Sequence, residues 1–364
     1  MLAATGTGAA ADAAPDAGSN PFWSSSNWYC EKMPDITTVQ LSGSQVPISN
    51  KAVNPGQFLR GPRLQVRSSG GAGGAVTPDN PANLFASLEL DNVDGANIRY
   101  PMNGWSHQTL NILGRPWLGD PRLRYDYAQS VNPSFTMFLQ PEIRHTAGVL
   151  SNTDSRSQYK YSYTLETAAG IGATGTAPTV TVTPYMDAWA QPDAHDLQDR
   201  MNQPLPPGLN VQTVARHDTQ PLNPAGANNV LLSHLTGNEV RLFVMVLRDS
   251  QNRRVDYVGD PLRWTLDSRN MGVFSPDELF QWNADFYSSF GGAPLQRPTG
   301  VYAFPRFYDV GAMLGQGWLG TTNATKWQLE FTTLATGANL PGTVEFITEE
   351  VIPVGPIPPE LDHI

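Results

Sequence analysis

A chain of 364 residues with 33 Asp and Glu against 23 Lys and Arg carries a formal net charge of −10, a balance that excludes a surface built to neutralise nucleic-acid phosphates. Its 33 glycines and 31 prolines, against 15% charged residues, describe many turns between short strands rather than long solvated helices. The single cysteine, Cys30, excludes a disulfide framework, and the length exceeds the roughly 100–200 residues of one domain.

The start, MLAATGTGAAADAAPDAG, has neither a basic n-region nor a continuous apolar run, so it reads as neither a signal peptide nor a membrane span. Ala/Gly/Thr-rich sequence of this kind buries too little apolar area to offset its ordering entropy, and residues 1–34 are expected to form a flexible N-terminal arm. Phe22, Trp23, Trp28 and Tyr29 crowd its end. They are candidate anchors, docking the arm on its own domain, on a neighbour or on a lipid surface.

Strands are expected at ITTVQL (36–41), FLRGPRLQVRS (58–68), NLFASLELDN (83–92) and SFTMFLQ (134–140), with a tight turn at Asp94-Gly95. In 159–183, Tyr159, Tyr161, Tyr163 and Leu165 alternate with polar residues, and Val180 and Val182 alternate with threonines after a Gly/Ala/Thr turn. The alternation predicts an antiparallel strand pair with one buried face.

Residues 326–348 repeat that pattern with Trp327, Leu329, Phe331, Val344 and Phe346, beginning 167 residues after the first copy. A fainter echo links ITTVQL at Ile36 with LNVQTV at Leu209 at nearly the same offset. A period near half the chain predicts a duplicated β domain rather than a solenoid: a first sandwich over 35–203, the linker PLPPG at 204–208, a second over 209–352 and a tail at 353–364. Each sandwich is expected to hold its own core.

The second half supplies LNVQTVAR, NEVRLFVMVLRD, RRVDYVG and PLRWTLD as further strands. SPDELFQWNADFYSSFGG (275–292) predicts a helix with Ser275 and Glu278 as a capping box and Leu279, Trp282, Phe286 and Phe290 on one face. LFVMVL (242–247) is apolar on both faces, whereas a sandwich strand has one wet side. Phe243, Met245 and Leu247 are therefore candidate subunit-contact residues.

Chemistry-bearing motifs are sparse. His195 lies between Asp193 and Asp196 in a segment that reads as solvated surface. GWSHQ (104–108) ends in Gln108 where a nucleophile elbow has glycine, and no strand-to-helix context is evident around it. Asn323-Ala324-Thr325 matches a glycosylation sequon but reads as a plain turn, and Glu349-Glu350 reads as a pair of edge charges that deter aggregation. No cofactor fingerprint and no metal-ligand spacing is found, so neither a cofactor nor enzymatic activity is expected.

The stretches NPANLFASLELDNVDGANIRYPMNGWSHQTLNI (80–112) and GATGTAPTVTVTPYMDAWAQPDAHDL (172–197), with the run from the 275–290 helix into PTGVYAFPRF (298–307), resemble the major capsid proteins of tectiviruses, the membrane-containing phages. The resemblance keeps the same order along most of residues 35–352. It implies an all-β chain of two tandem jelly-roll sandwiches with a few short inserted helices, and a homotrimer of pseudo-hexagonal outline. Such trimers tile an icosahedral shell over an internal membrane. The implied partners are the chain itself, neighbouring trimers, penton and minor capsid proteins and that membrane, with synthesis in the host cytoplasm. The competing reading is a β-sandwich carbohydrate-active or carbohydrate-binding protein, which would need a cleft of converging carboxylates and aromatics.

Overall fold

The computed structural model describes residues 22, 25–74, 79–115, 130–144, 146–192, 204–209, 211–232, 235–256, 258–288, 298–306, 317–334 and 341–353. In the first half the strands are β1 (Trp28–Lys32), β2 (Thr37–Gln40), β3 (Val46–Ala52), β4 (Gln57–Ser69), β5 (Phe85–Asp91) and β6 (Asn97–Met102). Helix α1 (Gly104–Gly114) follows, and then β7 (Ser134–Phe138), β8 (Leu150–Asn152), β9 (Lys160–Leu165) and β10 (Thr179–Trp189). The second half runs β11 (Val211–Pro221), β12 (Gly226–Leu231), β13 (Glu239–Asp249), β14 (Val258–Leu266) and β15 (Arg269–Phe274). Helix α2 (Pro276–Ser288), β16 (Val301–Pro305), β17 (Leu319–Gly320), β18 (Trp327–Thr333) and β19 (Pro341–Pro353) complete it.

Three sheets result. The first has six strands in the order β1-β10-β4-β7, with β2 also on β10 and β8 also on β4; the third has four, in the order β12-β18-β14-β15. The middle sheet has nine, β16-β13-β19-β11-β6-β5-β9-β3 with β17 on β13, and so belongs to both halves. Its joint is a short parallel contact in which Ala215 of β11 faces Arg99 of β6.

The duplication is complete at the level of strand pairing. β10 lies between β1–β2 and β4, as β19 lies between β11 and β13; β9 lies between β3 and β5, as β18 lies between β12 and β14. β6 and β15 each close a hairpin with the preceding strand and lead into a helix, and β7 and β16 then return to β4 and β13. The faint echo of ITTVQL in LNVQTV marks the strand that, in each half, pairs with the last one.

Several expectations need correction. The repeated segments are not hairpins: β9 is in the middle sheet and β10 in the first, while β18 is in the third and β19 in the middle. Alternation of apolar residues fixes which face of a strand is buried but not its partner, and here the turn carries the chain across the sandwich. Residues 28–32, expected within the arm, form β1 on β10. RRVDYVG and PLRWTLD contribute to a single strand, β14.

The halves also share a core. One apolar cluster gathers Leu64, Val66, Phe85, Leu88, Phe135, Tyr161 and Val182 of the first half with Leu242, Val244, Val246, Val301 and Ile347 of the second. A second cluster lies inside the second half, around Phe243, whose ring centroid is 5.1 Å from Trp327, 5.3 Å from Phe304 and 5.6 Å from Phe346. Helix α2 has the expected capping box, Ser275 N donating to Glu278 Oε2 at 3.0 Å and Glu278 N to Ser275 Oγ at 3.1 Å. Leu279 is buried beneath it, Trp282 and Phe286 pack partly buried, and Phe290 lies outside the described residues.

Candidate functional site: a buried ionic seam between the halves

Helix α1 starts directly after β6, with Asn103 as N-cap: its Oδ1 accepts from Ser106 N at 2.8 Å and from Ser106 Oγ at 3.0 Å. GWSHQ thus does sit in a strand-to-helix turn, contrary to the sequence reading. All eleven residues of α1 are buried, because the helix lies against β5 and β7 on one side and β13, β16 and β19 on the other. Gly104 and Gly114 permit this fit: a Cβ would stand 2.2 Å from the Ala82 carbonyl oxygen at the first and 2.9 Å from Glu349 Oε2 at the second.

At the C-terminal end of α1 three buried guanidiniums converge on one carboxylate. Glu349 meets Arg115 at 2.5 Å, Arg241 at 2.7 Å and Arg99 at 3.3 Å, and none of the four side chains is more than 1% exposed. Arg241 also donates to the Gly114 carbonyl at 2.7 Å, and Arg115 to the carbonyls of Glu142 at 2.8 Å and Pro141 at 3.1 Å. Burial alone would raise the Glu349 pKa, but Arg115, Arg241 and Arg99 together outweigh it and hold the carboxyl at about 2. Arg99 is pushed down to about 9, by burial first and then by the like charge of Arg115, against the opposing pull of Glu349.

Four residues before Glu349 on β19, and so on the same face, Glu345 accepts from Ser106 Oγ, from His217 Nε2 at 2.9 Å and from Arg248 Nε at 3.0 Å. Arg248 continues to Asp79 at 2.8 Å, which also takes Arg254 at 2.7 Å; both guanidiniums stack over Trp105 of α1, 5.1 and 4.8 Å from its ring centroid. Burial opposes ionisation of Glu345, yet the His217 hydrogen bond and Arg248 bring its pKa down to about 2. Glu350 takes Asn238 Nδ2 at 2.7 Å and Thr348 Oγ1 at 2.8 Å. Glu349 and Glu350 therefore are not edge charges: β19 is flanked by β13 and β11, and both carboxylates are fully buried.

Ser106, His217 and Glu345 are the residue types of a nucleophilic triad, but their order is wrong for one. The carboxylate stands between the hydroxyl and the imidazole, so Ser106 donates to Glu345, and among the described residues no imidazole is placed to activate it. Ser106 is also fully buried. The arrangement is suited to locking α1, β11, β13 and β19 together.

Phe243, Met245 and Leu247 do not reach a neighbouring subunit. They point into the second-half core and are 0% exposed within the single chain, while Leu242, Val244 and Val246 on the opposite face are covered by the shared core. The apolar character of both faces reflects two intramolecular cores. Of the expected arm anchors, Phe22 is fully buried against Phe58 and Trp189, with centroids at 5.7 and 6.4 Å, so it docks on its own half. Trp28 is 48% exposed on β1, its indole bonded to Asp187 and flanked by Arg60 and Arg63. Tyr29 is partly buried, and its hydroxyl is pushed up to about 12 by burial and then by Glu31. Trp23, residues 1–20 and the His195 segment lie outside the described residues, while Asn323-Ala324-Thr325 forms a turn whose Thr325 bonds Asp267. Among the described residues no group of histidines, cysteines and carboxylates is placed to hold a metal, and no helix is long and apolar enough to cross a membrane.

The sequence matches no family model and no curated protein. Solved structures do match over most of the chain. A chain of the Sulfolobus Turreted Icosahedral Virus shares 14% identity, covering 91% of each chain, with a TM-score of 0.60. The fold is a double jelly roll. The PBCV-1 virus capsid is similar at 13% identity over 90% of this chain and 94% of that one, with a TM-score of 0.58. The major capsid protein P2 from Bacteriophage PM2 is similar at 12% identity over 89% and 97%, with a TM-score of 0.51. Two jelly rolls in one chain, expected from the resemblance to tectivirus capsid proteins, are thus present.

Proposed function

We propose that this chain is a structural major capsid protein, forming homotrimers of pseudo-hexagonal outline that tile an icosahedral shell over an internal membrane. The observation that carries this reading is the strand-by-strand duplication, with its halves fused through one nine-stranded sheet. Each chain offers two similar lobes, so three chains supply six and fill a sixfold-like position. The likeness to virus shell proteins, which spans nearly the full length of both chains, supports the same reading. The described titratable clusters are committed to internal ion pairs, which favours a structural role over an enzymatic one. The carbohydrate reading gains nothing at the exposed Trp28, whose ring is already flanked by Arg60 and Arg63 at 5.8 and 5.5 Å.

The partners are further copies of the chain, penton and minor capsid proteins and the viral membrane, and the shell assembles from chains made in the host cytoplasm. Antibody raised against the purified protein tests this on intact particles by immuno-electron microscopy. Dense labelling over the whole shell is the expected result; labelling confined to the vertices, or none, would overturn it.

A further inference from the structure

Within one chain the first half meets the second in a defined way. The edge strand β6 lies beside the edge strand β11, and α1 lies on the face of β13, β16 and β19 that points away from the second-half core. The duplication maps β6 onto β15, α1 onto α2, β13 onto β4, and β11 onto β1–β2, since β11 runs along β19 from Pro353 to Thr343 as β1 and β2 together run along β10 from Trp189 to Thr179. Of the mapped strands, β15 and β1–β2 are sheet edges among the described residues. Among the described residues, β15 pairs only with β14, and β1 and β2 pair only with β10.

We propose that the second half of one subunit docks on the first half of the next as the first half docks on the second within a chain. β15 then runs beside β1–β2, and α2 covers the outer face of β4 and β10. This rests on the trimeric shell reading and specifies where its subunits join.

Three observations support the placement. Val273 on β15, Trp28 on β1 and Ile36 just before β2 are 45%, 48% and 46% exposed, so large apolar side chains stand in water on both proposed edges. Every residue of α1 is buried, whereas along α2 only Leu279 and Tyr287 are buried among the described side chains, as expected if its second covering surface is on another chain. The exposed side of α2 carries Asp277, Glu278 and Asp285, and the outer face of β4 carries the exposed Arg67 opposite Thr181 of β10, with Arg63, opposite Tyr185, already paired with the buried Asp187. The signs are complementary.

Cys30 supplies the test, because the only cysteine of the chain is exposed on β1. Asn270→Cys and Val273→Cys, made singly, place a second thiol on β15, at positions that are exposed. Purified protein is first weighed by light scattering, then treated with copper-phenanthroline or a short bis-maleimide and run on a non-reducing gel. The expected result is covalent dimers and trimers with at least one variant, lost when Cys30→Ser is added. A folded trimer that crosslinks at neither position overturns the proposed joint while leaving the shell reading intact. A protein that stays monomeric at every concentration overturns the trimer and the joint together.

Discussion

Glu349 accepts a hydrogen bond from Arg241 at 2.7 Å with both side chains fully buried, and this pair ties β19 to the C-terminal end of α1 through the Gly114 carbonyl. Arg99 and Arg115 share the same carboxylate. Glu349→Gln would take from three buried guanidiniums the carboxylate they share and is expected to destabilise the protein by about 3–5 kcal/mol. Urea unfolding followed by tryptophan fluorescence measures it. A loss below about 1 kcal/mol would mean that the other partners of the arginines satisfy them without this carboxylate.

Stability should fall in acid in two stages. His107 is fully buried with its Nε2 2.7 Å from the Leu88 carbonyl, and burial pushes its pKa down to about 3. An unfolded histidine titrates near pH 6.5, so its contribution is complete above about pH 6.5 and is lost as pH falls towards 3. Glu345 and Glu349, held at about 2, contribute fully above the unfolded value of about 4.3 and lose that stability as pH falls through about 4 towards 2. Each carboxylate is worth about 3 kcal/mol by that shift. Urea midpoints measured from pH 8 to 3 should be flat above about 6.5, decline gently below it and drop steeply below about 4.5, and His107→Gln should remove the gentle decline alone.

Met245→Asp distinguishes an internal strand from an interface strand. Met245 is 0% exposed in the core around Phe243 and Trp264, so the variant is expected to be insoluble rather than a folded monomer. A soluble, folded monomer would restore a subunit contact for this face.

Leu279→Ala, which removes a fully buried contact of α2, is expected to cost about 2–5 kcal/mol. Phe286→Ala, at a partly buried position, should cost less. Equal losses for the two would show that the outer side of α2 is already covered within the chain.

The duplication was legible because Tyr161, Tyr163, Val180 and Val182 repeat an alternation found again at Trp327, Leu329, Val344 and Phe346. The capping box of α2 was equally plain, since Ser275 and Glu278 act through local backbone groups. Helix α1 was not. It is buried on all sides, so Ser106, His107, Gln108, Thr109 and Asn111 face protein rather than water and the sequence shows no apolar stripe. The ionic seam was hidden for a related reason. Glu345 and Glu349 share β19, but Arg99, Arg115 and Arg241 come from three other segments, and a carboxylate or guanidinium looks like a surface residue until its partners are known. Sharing of the middle sheet depends on which edges meet, which alternation along a strand does not encode.

The central claim is that two fused jelly rolls serve a trimer with six similar lobes. The mass of the purified protein in solution, by size-exclusion chromatography with light scattering, tests it most directly. A species of three times the chain mass of 39.6 kDa, persisting on dilution, is the predicted result. A monodisperse 39.6 kDa monomer at every concentration would contradict it.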